Sequence, residues 1–202
     1  MQIAVERLVV GELAVNCYLV ENMETRECFI VDPGAEAQRI IAAVGDRKPC
    51  AVLLTHGHYD HIGAVDAVCG HFDIPVYIHA ADAAKLADAM ANVSAVFGEP
   101  VTQSTSPVSI EEGALVLAGM DLQILHTPGH SAGSICCLLP ENQGVLTGDT
   151  LFAHGYGRTD FADGDFALMH QSLRRLYRLT PRMTAFPGHD VPGVVGRNPV
   201  GE

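Results

Sequence analysis

The chain has 202 residues, 48% hydrophobic and 18% charged. That is the balance of a single globular domain, expected to span 1–202, with a sizeable buried core, and it excludes disordered and fibrous classes. Twelve Lys and Arg stand against twenty-four Asp and Glu, a net charge of −12, with no basic run longer than Arg47-Lys48 or Arg174-Arg175; nucleic acid is not an expected partner. No uncharged apolar stretch approaches the roughly 18 to 20 residues of a membrane span, so no membrane contact is expected either.

Glu6, Arg7 and Glu12 interrupt the apolar N-terminus, which reads as strands and not as a signal peptide. The first strands are expected at Ile3 to Val9, Cys17 to Val20 and Phe29 to Val31, the third ending in Asp32-Pro33-Gly34. From Glu36, the spacing of Ile40, Ile41 and Val44 predicts a helix that Gly45 stops. Ala51 to Leu54, apolar and too short for a helix, reads as a buried strand running straight into Thr55-His56. A helix over Ile62 to Val68, a strand over Val76 to Ile78 and an Ala-rich helix with a polar face over Ala80 to Met90 follow. Asn92 to Pro107, rich in Ser, Thr and Gly, reads as a surface loop or a lid.

Strands are then expected at Leu115 to Leu117, Leu122 to Leu125, Ile135 to Leu139 and Val145 to Leu146. A helix over Asp165 to Leu179 has Asp165 as cap and Phe166, Met169, Leu173, Leu176 and Tyr177 as apolar stripe. Thr184 to Phe186 is a last strand before Pro187-Gly188-His189. Clustered strands with intervening helices favour layered sheets covered by helices. Six cysteines form no C-x-x-C pair and read as reduced, buried thiols of a cytoplasmic protein.

The chemistry is concentrated in Thr55 to His61, THGHYDH, which packs three histidines and an aspartate behind an apolar strand. Imidazole and carboxylate are the ligands that zinc, iron and manganese accept. Three later segments each add one such group just past a strand: HTPGHSAGS with His130, LTGDTLF with Asp149 and FPGHD with His189. Converging strand ends would gather His56, His58, Asp60, His61, His130, Asp149 and His189 around two divalent ions, with a carboxylate such as Asp149 spanning ions roughly 3.5 to 4 Å apart. Asp32 is the candidate for holding the free ring N–H of a ligating histidine. His71, His79, His126, His154 and His170 show no ligand pattern, although His79 and His126 lie near the motifs.

These motifs, together with VDPG at Val31 to Gly34 and GRTD at Gly157 to Asp160, resemble the metallo-β-lactamase superfamily, most closely its glyoxalase II-like thioesterase branch in a short form. The resemblance implies an α/β four-layer αββα sandwich. It implies that His56, His58 and His130 hold one metal, that Asp60, His61 and His189 hold the other, and that Asp149 bridges them. Zinc is the first candidate, with iron and manganese as alternatives. The implied activity is hydrolysis of small-molecule thioesters of the S-acyl glutathione type by a metal-bound hydroxide, with Asp60 and Asp149 in catalytic roles. An iron-dependent persulfide dioxygenase with the same ligands, or a lactone or ester hydrolase, is the alternative.

The lactamase branch proper usually has a cysteine among its second-site ligands. Here Asp60, His61 and His189 fill that site, so antibiotic hydrolysis is not expected. Only thirteen residues follow His189, too few for the helical domain with which longer glyoxalase II enzymes help bind glutathione. In the GRTD segment those enzymes carry a cation and, two places on, an aromatic hydroxyl. Here Arg158 supplies the cation and Asp160 takes the later place. Arg158, with Tyr156 beside it, is read as a substrate contact or as an ion-pair partner of Asp160 or Asp163.

Overall fold

The computed structural model describes residues 1–180 and 182–195. Strands β1 (Ile3–Val10), β2 (Val15–Asn22), β3 (Glu27–Val31), β4 (Lys48–Leu53), β5 (Val76–His79) and β6 (Val108–Ile110) form one sheet in that order. Strands β7 (Gly113–Leu117), β8 (Met120–His126), β9 (Ile135–Leu138), β10 (Val145–Gly148), β11 (Thr184–Pro187) and β12 (Gly193–Val194) form the second. Both sheets are mixed: β3 to β6 run parallel, and β11 lies parallel to β10 among otherwise antiparallel neighbours.

Strand alternation explains the layering. Along β2, Cys17 and Leu19 point one way and Tyr18 and Val20 the other; along β3 and β4, Ile30 and Val52 oppose Phe29, Val31 and Leu53. One set packs under helices α1 (Ala37–Val44) and α3 (Val65–Phe72), through Ile40, Val44, Val65 and Val68. The other set meets Met120, Leu122, Ile124, Ile135, Cys137 and Leu146 of the second sheet. The far face of that sheet, with Cys136 and Val145, packs on Met169, Leu173 and Leu176 of α5 (Phe166–Leu179). Three apolar seams thus separate four layers, helix, sheet, sheet and helix, as expected. The side chains filling them contribute roughly 1.5–3 kcal/mol each when fully buried.

Asp165 caps α5 by accepting from the Leu168 N–H at 2.9 Å. Phe166, expected in the apolar stripe of that helix, is 57% exposed. The helix expected over Ile62 to Val68 is two pieces, α2 (Tyr59–Ile62) and α3. They part at Gly63, which packs on the Gly34 carbonyl too closely for any side chain, and the Ala64 N–H turns to the Pro33 carbonyl.

The Ala-rich segment is a 3-10 helix over Ala80–Ala87, not an α-helix reaching Met90. With three residues per turn, Asp82 and Lys85 fall on one face, both buried and 3.2 Å apart. No helix among the described residues is long and apolar enough to cross a membrane.

Asn92 to Pro107 is anchored and not free. It contains α4 (Ser94–Phe97). Buried Asn92 donates to the carbonyls of Lys85 and Val101 and accepts from the Ser94 N–H, while the Tyr59 N–H reaches the Asn92 carbonyl. At its far end, Asp66 accepts from the N–H and hydroxyl of both Ser104 and Thr105, at 2.6–2.8 Å. Burial pushes this carboxyl up, but the donors outweigh it and hold it at about 2. Because the folded value lies below the unfolded one of about 3.9, the stabilisation is complete above that pH and disappears as pH falls through about 2. Asp66→Asn is therefore expected to cost about 1–2 kcal/mol near neutrality. In denaturant melts its deficit should shrink between about pH 4 and pH 2.

Candidate metal centre

The expected ligands emerge where parallel strands of both sheets end on the same side. Asp32 follows β3, His56 and His58 follow β4, Asp60 and His61 lie on α2, Asp149 follows β10 and His189 follows β11. His130 sits in the turn between β8 and β9. Backbone bonds lock the edges together: Ile135 N–H to the Thr55 carbonyl at 2.9 Å, Asn16 N–H to the Gly188 carbonyl at 2.7 Å, and Gly188 N–H to the Gly148 carbonyl at 2.9 Å. Gly188 is required because a methyl group there would overlap Asp149 Oδ1 and the His61 ring.

Three donor groups converge, each with its ligand atoms within 4.8 Å of one another: His56, His58 and His130; His56, His61 and Asp149; and Asp60, His61 and His189. Asp149 lies between the histidines of both sides. Its Oδ1 is 3.5 Å from His61 Nε2, and its Oδ2 is 3.5 Å from both His130 Nε2 and His189 Nε2. Asp60 Oδ2 is 3.3 Å from His189 Nε2 and 3.7 Å from His61 Nε2.

Outer partners set each ring. His61 Nδ1–H donates to Asp32 Oδ2 at 2.9 Å, His130 Nδ1–H to the Arg158 carbonyl at 2.8 Å and His189 Nδ1–H to the Leu13 carbonyl at 3.0 Å. His56 Nδ1 faces Thr55 Oγ1 at 3.1 Å, and that hydroxyl donates to Asp32 Oδ2 at 2.7 Å. In the neutral ring that a ligand requires, each such bond keeps the hydrogen on Nδ1 and leaves Nε2 to face the centre.

Whether these residues fit a metal is tested by the atoms they leave over. His56 Nε2, His61 Nε2 and Asp149 Oδ1 are buried without a hydrogen-bond partner, and His58 Nδ1 faces His130 Nε2 at 2.9 Å, an arrangement that is costly unless a cation takes these lone pairs. The charges agree. Burial, with neighbouring imidazoles, holds His56 and His58 far below the usual histidine range, and burial also lowers His130, so all three stay neutral as ligands must. Burial disfavours a charged His61 and His189 as well, but Asp60, Asp149 and, for His61, Asp32 outweigh it and raise both. That surplus of negative potential is what a divalent cation would neutralise.

Asp32 stands where expected, behind His61. Its φ of 48° lies in the left-handed region, and its carboxylate also takes the Thr55 N–H at 2.8 Å. Arg158 makes an ion pair and also lines the cleft above the ligands. Its guanidinium grips Asp160 at 2.6 and 2.7 Å and lies over the Phe161 ring at 4.7 Å. Tyr156, read as a second substrate contact, is partly buried against the α5 core, its ring edge-on to His170 at 6.0 Å. Above the ligands opens a cleft of about 450 Å³, with Arg158 on its rim.

A sequence profile described as the metallo-beta-lactamase superfamily matches residues 10–189. The chain belongs to the metallo-beta-lactamase superfamily. It is 37% identical over 188 residues to "Probable metallo-hydrolase YqgX" of Bacillus subtilis (strain 168), covering 91% of this chain and 88% of the relative. It is 34% identical over 188 residues to "Hydroxyacylglutathione hydrolase GloC" of Haemophilus influenzae, covering 90% and 88%. Among solved structures, BLEG-1 B3 metallo-beta-lactamase superposes with a TM-score of 0.92 at 33% identity, over 98% of this chain and 99% of the other. TTHA1623 in a di-iron-bound form superposes with a TM-score of 0.84 at 34% identity, over 95% of each.

Within this metallo-beta-lactamase superfamily chain, sequence reasoning missed the residues that hold the ligand loops together. Asp82, within the segment read as an Ala-rich helix with a polar face, is fully buried. It accepts from the Gly57 N–H, the Gly133 N–H and the Ser131 hydroxyl, all at 2.8 Å, tying the His56–His58 turn to the His130 turn. Lys85 pairs with it and with Asp163, which takes the Ala132 N–H. His79 and His126, near the motifs as noted, stack at 4.1 Å, and His126 Nε2–H holds the Ala132 carbonyl at 2.8 Å. No spacing rule marks an aspartate among alanines as a clasp between distant loops. Cys136 and Cys137 are buried, and burial raises both thiols, Cys136 to about 11, which leaves no thiolate for chemistry.

Proposed function

We propose that this chain is a hydrolase with two divalent ions that cleaves small-molecule thioesters. The observation that carries it is the position of Asp149, which lies 3.5 Å from His130 Nε2 of one proposed ion site and 3.5 Å from His61 Nε2 and His189 Nε2 of the other. In this reading His56, His58 and His130 would hold one ion, and Asp60, His61 and His189 the second, with Asp149 within reach of both sets; the chemistry supplied would be polarisation of a carbonyl and a coordinated water of lowered pKa. Zinc is the first candidate; iron and manganese accept the same donors.

The chain's own groups supply the rest. Asp60, near the cleft floor, orients the attacking water and takes its proton. The buried histidines, clamped through Asp32, Thr55 and the Leu13 and Arg158 carbonyls, hold the site in place without reorganisation. Water adds across the C–S bond: oxygen goes to the carbonyl carbon, and the proton passes to the departing sulfur. The relative named GloC makes S-acyl glutathione the reference substrate, and the six free cysteines are in keeping with a reducing cytoplasm.

The relative solved with two irons favours keeping the persulfide dioxygenase reading in the same assay, and BLEG-1 brings a β-lactam into it. Elemental analysis of the purified chain is paired with a panel of S-lactoylglutathione, a glutathione persulfide, a lactone and a β-lactam. Thioester loss without oxygen uptake is the expected result. Oxygen consumed with the persulfide, and no thioester turnover, would replace hydrolysis by oxidation.

A further inference from the structure

The cleft above the metal floor has walls of one character. On one side Phe161 packs against His58 and His130, with ring centroids 4.7 and 5.7 Å apart, and meets Phe97 edge-on at 6.1 Å; Phe97 in turn stacks on Tyr59 at 6.4 Å. On the other side Phe152 stands edge-on to His189 at 6.0 Å, with Leu13 beside it on the lining. A thioester held over the floor would meet these apolar side chains.

Glutathione carries a carboxylate at each end. Among the described residues Arg158 is the one cation on the lining, and its planar guanidinium is already engaged by both oxygens of Asp160. The net charge of −12 supplies no long-range attraction for a further anion. Conversely, Leu13 and Phe97 are 51% and 54% exposed, and both border this cleft, where apolar ligand surface would cover them.

Resting on the thioesterase reading above, we propose that the cleft selects thioesters whose thiol half is neutral and apolar, of the aryl or medium-chain alkyl kind, over S-acyl glutathione. Phe97 and Phe161 are its specificity-determining residues. The reaction is unchanged: water and thioester give a carboxylic acid and a free apolar thiol.

The metal-loaded chain is assayed with S-benzyl thioacetate and S-acetylglutathione, which share an acyl group. The expected kcat/KM is at least about tenfold higher for the benzyl compound. Phe97→Ala, which touches no proposed ligand, should raise its KM about tenfold and change kcat by less than about threefold, the pattern of lost uniform binding, and Phe161→Ala should raise KM at least as much. Calorimetry with the uncleavable benzyl methyl sulfide, weakened by the same substitutions, gives a readout independent of turnover. Preference for S-acetylglutathione, or its selective loss in Arg158→Gln, overturns the proposal and leaves the thioesterase reading standing. If neither thioester is cleaved, the thioesterase reading falls and binding alone decides: S-methylglutathione bound as tightly as benzyl methyl sulfide overturns the selection too.

Discussion

Asp149→Ala is expected to lower turnover by roughly a thousandfold or more, the scale on which removal of a charge-stabilising group from a preorganised site is felt. Purified protein should fall from about two metal ions per chain to one or fewer. The reason is positional. Asp149 is the carboxylate within 3.5 Å of histidines from both halves of the centre, so its loss removes negative charge from two sites at once. The side chain is 8% exposed, and alanine fills its place without a new clash, so near-normal melting with lost metal is the expected signature. Full occupancy and near-native turnover would remove the dinuclear assignment.

Asp32→Ala is expected to weaken metal binding and kcat/KM by about 10–100-fold, the usual effect of deleting the partner behind a ligating histidine. It touches no ion in this reading. Its carboxylate orients His61 directly and His56 through the Thr55 hydroxyl. Deletion also strands the buried Thr55 N–H, which costs about 1–3 kcal/mol, so the variant should melt earlier as well. Asp32→Asn retains the shape and one acceptor oxygen and should fall between the two proteins in a metal titration. Loss of stability with unaltered metal affinity would make Asp32 a structural turn residue only.

The ligand set was legible before any coordinates because its chemistry is local. Four imidazole- or carboxylate-bearing segments each follow a short apolar run, and the crowding of His56, His58, Asp60 and His61 has no structural use that needs those residue types together. The layered architecture was legible for a related reason, since period-two alternation and short strands record which faces are buried. What escaped was set by distance along the chain. Asp82 gains its role from the Gly57 and Ser131–Gly133 backbones, brought to it by folding. Phe97 and Phe161, 64 residues apart in sequence, become one wall through packing alone.

Arg158 and Tyr156 show the same boundary from the other side. Their residue types suit substrate contact, and only folding shows that Arg158 pairs with Asp160 while lining the cleft and that Tyr156 packs on the α5 core. By itself the sequence determined the fold class, the superfamily and a His/Asp cluster fit to bind metal, because ligand chemistry and strand periodicity are written residue by residue. The tertiary structure alone decided which histidine nitrogens point inward, how Asp149 stands between the two halves and what the cleft offers a substrate. Those depend on contacts between segments that only the closing of two sheets upon each other brings within reach.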